Sequence, residues 1–326
     1  MKVTILGAGA YGLALALMVN ENNHDITIWT RLDNELKELK ENHTNNRVLP
    51  DFILPNNFKY TNNLKQAIKN SNLIIIAVPA GFVDSVSKEL SDYYENQPIC
   101  IASKGIEQDT CLFVTDVLKK YIKTDKIAVI SGPSFAIDII KKVPIGLSLA
   151  TTNKDTENIT IKALQNEYLK LRPTHDVIGI EICGSVKNII AIAAGIIEGL
   201  GLPESTQAMF ITESLHDIKE LIKALGGDKK TILSFAGFGD LLLTATSIKS
   251  RNFRFGKMVG ENTPKELIEE FKNNTTIEGL YTLKSIYKLL DNKKVNIPII
   301  NLIYDIIFND KNPNEIKKFL INKWFN

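Results

Sequence analysis

The sequence has little of what staples or metallates a small fold. Its 326 residues include three cysteines, Cys100, Cys111 and Cys183, and four histidines. The cysteines form no CxxC pair and are too few for a disulfide framework, which points to a reducing compartment. So few Cys and His residues argue against a metal site built from them, and no metal is expected. An excess of one charge is also lacking: 39 Lys and Arg stand against 37 Asp and Glu, a formal net charge of +2. Nucleic-acid-binding bodies usually carry a strong basic excess, so no such partner is expected, although a local anion site is compatible with the total. Long apolar runs are missing too. The longest, residues 189–197, stops short of the roughly 18 needed to cross a bilayer, so the chain is not expected to be membrane-embedded. Met1-Lys2 leads at once into a strand-like run, leaving no room for a signal peptide. A cytoplasmic protein is the natural expectation.

What is present is ordinary globular material, 44% hydrophobic and 23% charged. At about 150 residues per domain, the length suggests two domains. Residues 3–6, 25–29, 73–78, 98–103 and 126–131 read as strands, separated by helical stretches such as 10–20. The run 73–78 (LIIIAV) is continuously apolar and β-branched, as a parallel strand covered on both faces should be. Regular alternation of strand and helix predicts a parallel sheet with helices on both faces. After about residue 178 strand signals nearly vanish. Residues 179–199 read as one long apolar helix, followed by helical segments at 205–225, 241–246, 264–272, 280–290, 299–308 and 314–325. The expected fold is therefore α/β: a Rossmann-like, mostly parallel sheet domain over residues 1–178, then an all-α domain over 179–326 that carries substrate binding and catalysis.

Gly7-Ala8-Gly9-Ala10-Tyr11-Gly12 is a GxGxxG that follows a strand and opens a helix, the context that gives the motif meaning. Gly7 suits the tight turn, Gly9 lets the backbone approach a pyrophosphate, and Gly12 lets helix and strand pack closely. The helix N-terminus offers N–H groups and partial positive charge to the phosphates. The second strand ends in Thr30-Arg31 with no carboxylate, Asp33 following two residues later. An arginine there suits a 2′-phosphate, so NADP is expected to be accepted alongside NAD, unless Arg31 is only a solvated surface residue.

Ligands of open parallel sheets sit beyond the carboxyl ends of the strands. Three strands end in unusual segments: Pro79-Ala80, Lys104-Gly105, and Gly132-Pro133-Ser134-Phe135-Ala136. Together they would bring a cation at Lys104 and a hydroxyl at Ser134 into one crevice; a surface lysine and a turn serine are the plainer alternatives. In the long helix, Lys187 and Asn188 interrupt an apolar face. Lys187 shares its side with Ile190, Ala191 and Ala194 by helical spacing. A lysine in such surroundings is costly unless paired or functional, and desolvation would lower its pKa toward the range of a general base; otherwise it snorkels to solvent. Asp240, in Gly237-Phe238-Gly239-Asp240-Leu241, reads by itself as a helix N-cap. Ser250-Arg251-Asn252 combines a hydroxyl, a guanidinium and an amide suited to a phosphate, or is a loop serine beside an exposed arginine.

Taken together, the segments resemble the bacterial NAD(P)-dependent glycerol-3-phosphate dehydrogenase family over nearly the whole chain. The likeness rests on GAGAYGLALA at 7–16, NRVLP at 46–50, IIIAVPA at 74–80, SKGIE at 103–107 and SGPSFA at 131–136. It continues through VKNIIAIAAG at 186–195, GFGDLLLTATSIKSRNFRFG at 237–256, IEG at 277–279 and IPIINLIYDII at 297–307. SKGIE, GPSFA and the long GDL…SRNFRFG block, in that order, are highly specific. The resemblance implies that Lys187 exchanges the proton of the substrate's C2 hydroxyl, with Lys104 and Asp240 orienting it or the substrate. It implies substrate contacts from Lys104, Gly132, Ser134, Lys187, Asp240, Ser250, Arg251 and Asn252. It implies cofactor contacts from the glycine turn (Gly7, Gly9, Gly12) and from Ala10, Tyr11, Arg31, Lys104, Ala136, Arg251, Ile277 and Glu278. Four positions depart from the family pattern: Ala10-Tyr11 stands where Ser-Trp is common, Ala245 where Cys is frequent, and Ile277 for Val. The first removes a hydroxyl contact to the pyrophosphate.

The reaction implied is reversible hydride transfer between NAD(P)H and dihydroxyacetone phosphate, giving sn-glycerol 3-phosphate for glycerophospholipid synthesis, by a homodimer. Two rival readings stand beside it. One is a related β-hydroxyacid dehydrogenase or ketoacid reductase, which would not need the Ser-Arg-Asn phosphate contacts. The other is a non-enzymatic dinucleotide-binding redox sensor, which would need the glycine turn but not a lysine within the long helix.

Overall fold

A computed structural model describes residues 1–322. The chain divides into two compact units: Met1–Lys104 together with Phe113–Val177, and Gly105–Leu112 together with the chain from Ile178 onward. The short excursion 105–112, which lies within the first half of the sequence, belongs with the helical unit, where the Lys288 Nζ donates to the Asp109 carbonyl at 3.2 Å.

The first unit alternates strand and helix: β1 (Lys2–Leu6), α1 (Ala10–Glu21), β2 (Asp25–Trp29), α2 (Asp33–Asn42), β3 (Lys59–Thr61), α3 (Leu64–Ile68), β4 (Leu73–Ile76), α4 (Val83–Ser91), β5 (Ile99–Ile101), α5 (Val114–Tyr121), β6 (Ile127–Ser131), α6 (Ala136–Ile140), β7 (Ile145–Ala150), α7 (Lys154–Leu164) and β8 (Leu169–Thr174). The eight strands form one sheet in the order β3-β2-β1-β4-β5-β6-β7-β8. Every pairing is parallel except β6 with β7, so the sheet is mostly parallel, as expected. The order reverses between β1 and β4, and open sheets of this kind bind ligands at that switch point. Register places the strand ends level: Leu6 pairs with Trp29 and with Ile76, Ile76 with Ile101, and Ile101 with Val129. The residues that follow these strands therefore emerge along one edge of the sheet.

Both sheet faces are covered. All four residues of β4 and all five of β6 are buried, which accounts for their uninterrupted apolar runs. Eight consecutive residues of α1, Gly12 through Val19, are buried. They pack into a core with Val3, Ile5, Ile75, Cys100 and Ile130. Strands β3, β7 and β8 were not expected from the sequence. β3 has three residues, too few to set a period. β8 (LKLRPT) alternates buried and exposed positions until Pro173, a pattern proper to a sheet edge, where a proline costs no ladder bond.

The second unit is helical: α8 (Val177–Gly199), α9 (Glu204–Ala224), α10 (Asp240–Ala245), α11 (Arg251–Gly260), α12 (Lys265–Asn274), α13 (Glu278–Lys293), α14 (Pro298–Phe308) and α15 (Glu315–Asn322). A 3-10 turn, Lys229–Leu233, and a π turn, Phe235–Gly239, precede α10. The last expected helix reached residue 325; positions 323–325 lie outside the described residues. Although its longest unbroken apolar run is short, α8 as a whole is long and apolar enough to cross a membrane by length and composition, and 94% of its most apolar stretch is buried inside the protein. From 179 to 197 every residue except Lys187 is buried.

Helix α8 meets α11 backbone to backbone. A Cβ on Gly195 would lie 2.0 Å from the Phe253 carbonyl oxygen, and one on Gly199 2.2 Å from that of Lys257. Conversely, a Cβ on Gly256 would lie 1.8 Å from the Ile192 oxygen, and one on Gly260 2.3 Å from that of Ile196. Each helix thus contributes a Gly-xxx-Gly pair to one seam, a spacing that stacks two small residues on one face. The seam sets the lysine-bearing helix at fixed height against the helix that begins with Arg251.

Candidate functional site

In the first unit the site is built on the turn after β1. Gly7 has φ +120° and its N–H donates to the Trp29 carbonyl at 2.9 Å; a side chain there would meet the Ala77 carbonyl oxygen at 2.8 Å. A Cβ on Gly12 would sit 2.2 Å from the Gly7 oxygen, so this glycine is what lets α1 pack on the turn. Gly9 differs from both: nothing lies within 4 Å of the place its Cβ would occupy. The absent side chain there leaves open space beside bare backbone. Gly9 is also the N-cap of α1, with no side chain bonded across the helix start and no acidic residue in the first turn. Open backbone at a helix N-terminus suits a pyrophosphate.

The turns after β5 and β6 reach the same place. The Ser134 Oγ donates to the Gly132 carbonyl at 3.2 Å and lies 3.2 Å from the Tyr11 hydroxyl. The Lys104 Nζ donates to the same carbonyl at 3.3 Å and stands 5.7 Å above the centroid of the Tyr11 ring. Tyr11, Lys104, Gly132 and Ser134 are thus one cluster, with Ala136 opening α6 just beyond it. Ser103 secures the β5 end by donating to the Val78 carbonyl. Arg31 leaves the end of β2 exposed at the surface. Its guanidinium lies 5.7 Å over the Trp29 ring and binds Glu89 of α4 at 3.1 Å and the Ser85 Oγ at 3.3 Å. Asp33 accepts from the Asn62 side chain at 2.8 Å.

In the second unit the Lys187 Nζ donates to the Asp240 Oδ1 at 2.6 Å, and the two side chains are 12% and 2% exposed. Lys187 is therefore partly buried and paired rather than snorkelling. The partner carboxylate opposes the desolvation that burial alone would impose on an ammonium. The N-cap role read for Asp240 is not what the structure shows: Gly239 occupies that position, and the Asp240 carboxylate is turned onto Lys187. A π turn, Phe235–Gly239, immediately precedes it. Its extra residue re-aims the chain, a device common at functional sites, and Gly237 permits it because a Cβ there would meet the Ile232 carbonyl oxygen at 2.2 Å. Thr244, one turn on, donates to the Asp240 carbonyl at 2.6 Å and stands 3.4 Å from its Oδ1.

Ser250-Arg251-Asn252 is the start of α11 rather than a loop. The Ser250 Oγ caps the helix by accepting from the Phe253 N–H at 3.2 Å, which leaves its own proton available to a ligand. Arg251 is exposed at the first turn, where its charge adds to that of the helix N-terminus. Asn252 is buried, its Oδ1 accepting from the Gly279 N–H at 2.9 Å, which ties α11 to the start of α13. Beside that bond, the Asn188 Nδ2 donates to the Glu278 Oε2 at 3.3 Å, and Ile277 is buried. Lys187, Asp240, Ser250, Asn252, Ile277 and Glu278 thus belong to one connected region of the helical unit. Sequence reasoning assigned no role to Thr244 or Asn188. The signals were there: Thr244 lies four residues after Asp240, one helical turn, and Asn188 is the second polar break in an apolar helix.

Comparison with known proteins places similarity along the whole chain. A family model described as "NAD-dependent glycerol-3-phosphate dehydrogenase N-terminus" matches residues 2–157, and its C-terminus counterpart matches 176–318. A glycerol-3-phosphate dehydrogenase [NAD(P)+] of Fusobacterium nucleatum is 37% identical over 336 aligned residues, covering 99% of this chain and 100% of that one. Its counterpart in a Thermoanaerobacter species is 38% identical, covering 97% and 95%. The crystal structure of a glycerol-3-phosphate dehydrogenase from Coxiella burnetii superposes with a TM-score of 0.91 at 31% identity, covering 98% of both chains.

Proposed function

The chain belongs to the NAD-dependent glycerol-3-phosphate dehydrogenase family, and on that footing we propose that it interconverts dihydroxyacetone phosphate and sn-glycerol 3-phosphate, with Lys187 exchanging the proton of the C2 oxygen. Membership in this family favours an oxidoreductase over the redox-sensor reading, and a phosphorylated substrate over the β-hydroxyacid or ketoacid one. The observation that carries the assignment of roles is the partly buried 2.6 Å pair of Lys187 and Asp240: a proton donor on an otherwise apolar helix, fixed in position by a carboxylate from α10.

Gly7, Gly9 and Gly12 would hold the dinucleotide backbone with Ala10 and Tyr11, while Arg31, Ala136, Arg251, Ile277 and Glu278 complete its contacts. When bound, a nicotinamide would supply the hydride that reaches C2, or accept it in the reverse direction. In reduction, the Lys187 ammonium gives a proton to the C2 oxygen and is left as an amine; in oxidation it takes that proton back. Asp240 holds the Lys187 Nζ in place, and Thr244 holds Asp240. Ser250, Arg251 and Asn252 bind the phosphate, a charge-assisted contact at a helix start. Lys104, Gly132 and Ser134 orient the remaining oxygens of the substrate. Fixing the phosphate fixes C2, so binding energy from the non-reacting end serves the reacting one.

NADH and NADPH both fit this reading. The three free, buried cysteines accord with a reducing cytoplasm, and the product suits a supply role in glycerophospholipid synthesis; a homodimer is the proposed assembly. The decisive assay is NADH and NADPH oxidation with dihydroxyacetone phosphate against dihydroxyacetone. A kcat/KM at least about 100-fold higher for the phosphorylated substrate is expected, with most of that preference lost in Arg251→Ala. Equal activity on non-phosphorylated hydroxyacids would overturn it.

A further inference from the structure

The sheet edge that receives the adenosine ribose in this fold carries three carboxylates close to the end of β2. Two have other partners. Asp33, at the start of α2, accepts from Asn62. Glu35 is buried, accepting from the Thr30 Oγ1 at 2.7 Å and pairing with Arg47. The third, Glu89, comes from α4, far along the chain, and its partner is Arg31 itself at 3.1 Å. Ser85, one turn before Glu89, completes the arrangement: its hydroxyl donates to the Phe82 carbonyl at 3.1 Å, so it accepts from the Arg31 Nη1 at 3.3 Å. Trp29 lies under the guanidinium. The cation at the end of β2 is thus held on three sides, and the acid that folds of this type usually place on β2 is supplied here by α4.

We propose that Glu89 is a specificity-determining residue of this protein, and that the Arg31–Glu89 pair makes the ribose subsite accept both NAD and NADP. This rests on the reading that the glycine turn binds a dinucleotide. A 2′-phosphate carries between one and two negative charges and recruits an arginine through two parallel hydrogen bonds. Arg31 makes those bonds only by loosening its hold on Glu89, whose carboxylate then lies beside a second anion. With NAD the pair stays intact, and Glu89 has lone pairs to accept from the ribose 2′-hydroxyl, as a β2 acid does in NAD-preferring sheets. Arg31 favours one cofactor and Glu89 the other. Because both side chains are about half exposed, at 48% and 40%, solvent screens the pair and keeps its influence moderate.

The test is direct titration of the purified chain with NADH and NADPH, followed by nucleotide fluorescence without substrate, for wild type, Glu89→Gln, Arg31→Ala and the double variant. Glu89→Gln is expected to tighten NADPH about three- to tenfold relative to NADH, and Arg31→Ala to weaken NADPH by at least as much. The double variant is expected to fall between Arg31→Ala and Glu89→Gln in its preference for NADPH, because Glu89 opposes NADPH both through its hold on Arg31 and as an anion beside the 2′-phosphate. An unchanged NADPH-to-NADH ratio in Glu89→Gln, with wild type binding both, would overturn the proposal. A wild-type chain that binds neither nucleotide would instead overturn the dinucleotide reading on which it rests. Equal unfolding midpoints of Glu89→Gln and wild type are expected and separate a change of specificity from a loss of fold.

Discussion

The Lys187 ammonium and the Asp240 carboxylate stand 2.6 Å apart, brought together from α8 and from the first residue of α10. Each makes the burial of the other tolerable, so removing either has two consequences, one for chemistry and one for the fold. Lys187→Ala is expected to lose about 10²- to 10⁴-fold in kcat while still binding NADH, because the dinucleotide turn is in the first unit. Asp240→Ala leaves an ammonium buried without its carboxylate and is expected to cost about 3–5 kcal/mol of stability. Steady-state kinetics, NADH titration and urea unfolding read the three quantities separately. Near-normal turnover in Lys187→Ala would remove that residue from the reaction.

The glycines of the first turn separate binding from folding. Gly9→Ala adds a methyl where nothing lies within 4 Å, so its stability is expected to stay within about 0.5 kcal/mol of wild type. The same methyl enters the space proposed for the pyrophosphate, and NADH affinity is expected to fall about tenfold or more. Gly12→Ala drives a methyl to 2.2 Å from the Gly7 oxygen and is expected to lower the unfolding midpoint first. Thermal melts of both variants, with and without NADH, decide the matter; a Gly9→Ala chain with wild-type NADH affinity contradicts the proposed placement of the cofactor.

Tyr11 stands where the family commonly has a tryptophan, and its hydroxyl reaches Ser134 at 3.2 Å. Ser134 has already directed its proton to Gly132, so the Tyr11 hydroxyl is the donor in that bond. Tyr11→Phe keeps the ring and removes the donor, and the KM for dihydroxyacetone phosphate is expected to rise about two- to tenfold. An unaltered KM would mean that Ser134 needs no such support.

Acid should loosen the loop after α2. The Asn46 N–H, and after it the Thr44 hydroxyl, hold the Glu38 carboxyl below its ordinary value; both bonds measure 2.8 Å. A carboxyl whose folded pKa is lowered contributes stability above its unfolded pKa, and that contribution disappears as pH falls through the folded value. Glu38→Gln is therefore expected to be less stable than wild type at pH 7. The gap between their urea midpoints should close as the pH falls through the lowered folded pKa of Glu38, below which the wild-type carboxyl is protonated as well. A gap that persists in acid would assign the effect to packing.

Most of what the first unit does was legible in the sequence, because its signals are local: a strand, a glycine turn and a helix occupy consecutive residues, and buried parallel strands show as unbroken β-branched runs. The edge strand β8 was not legible, since half its residues face outward and Pro173 mimics a breaker. In the second unit the lysine was visible as a polar break, but its partner was not. Asp240 looks like a cap because sequence spacing reports neighbours along a helix, whereas the pairing depends on a π turn and on two helices more than 50 positions apart. The role of Glu89 was hidden for the same reason, as a carboxylate brought to β2 from another helix.

The glycine seam between α8 and α11 also bears on how the chain is made. Helix α8 is apolar enough to pass for a membrane segment, and the backbone that closes over its glycines is synthesised about 60 residues later, roughly 3 to 12 s at ordinary rates of elongation. During that interval this long apolar helix waits without the helix that closes over its glycines, exposed to the associations that trap nascent chains. A message cut short before Arg251 would leave it in that state permanently. The seam that sets the height of Lys187 thus also marks the stretch of synthesis during which this protein most needs protection.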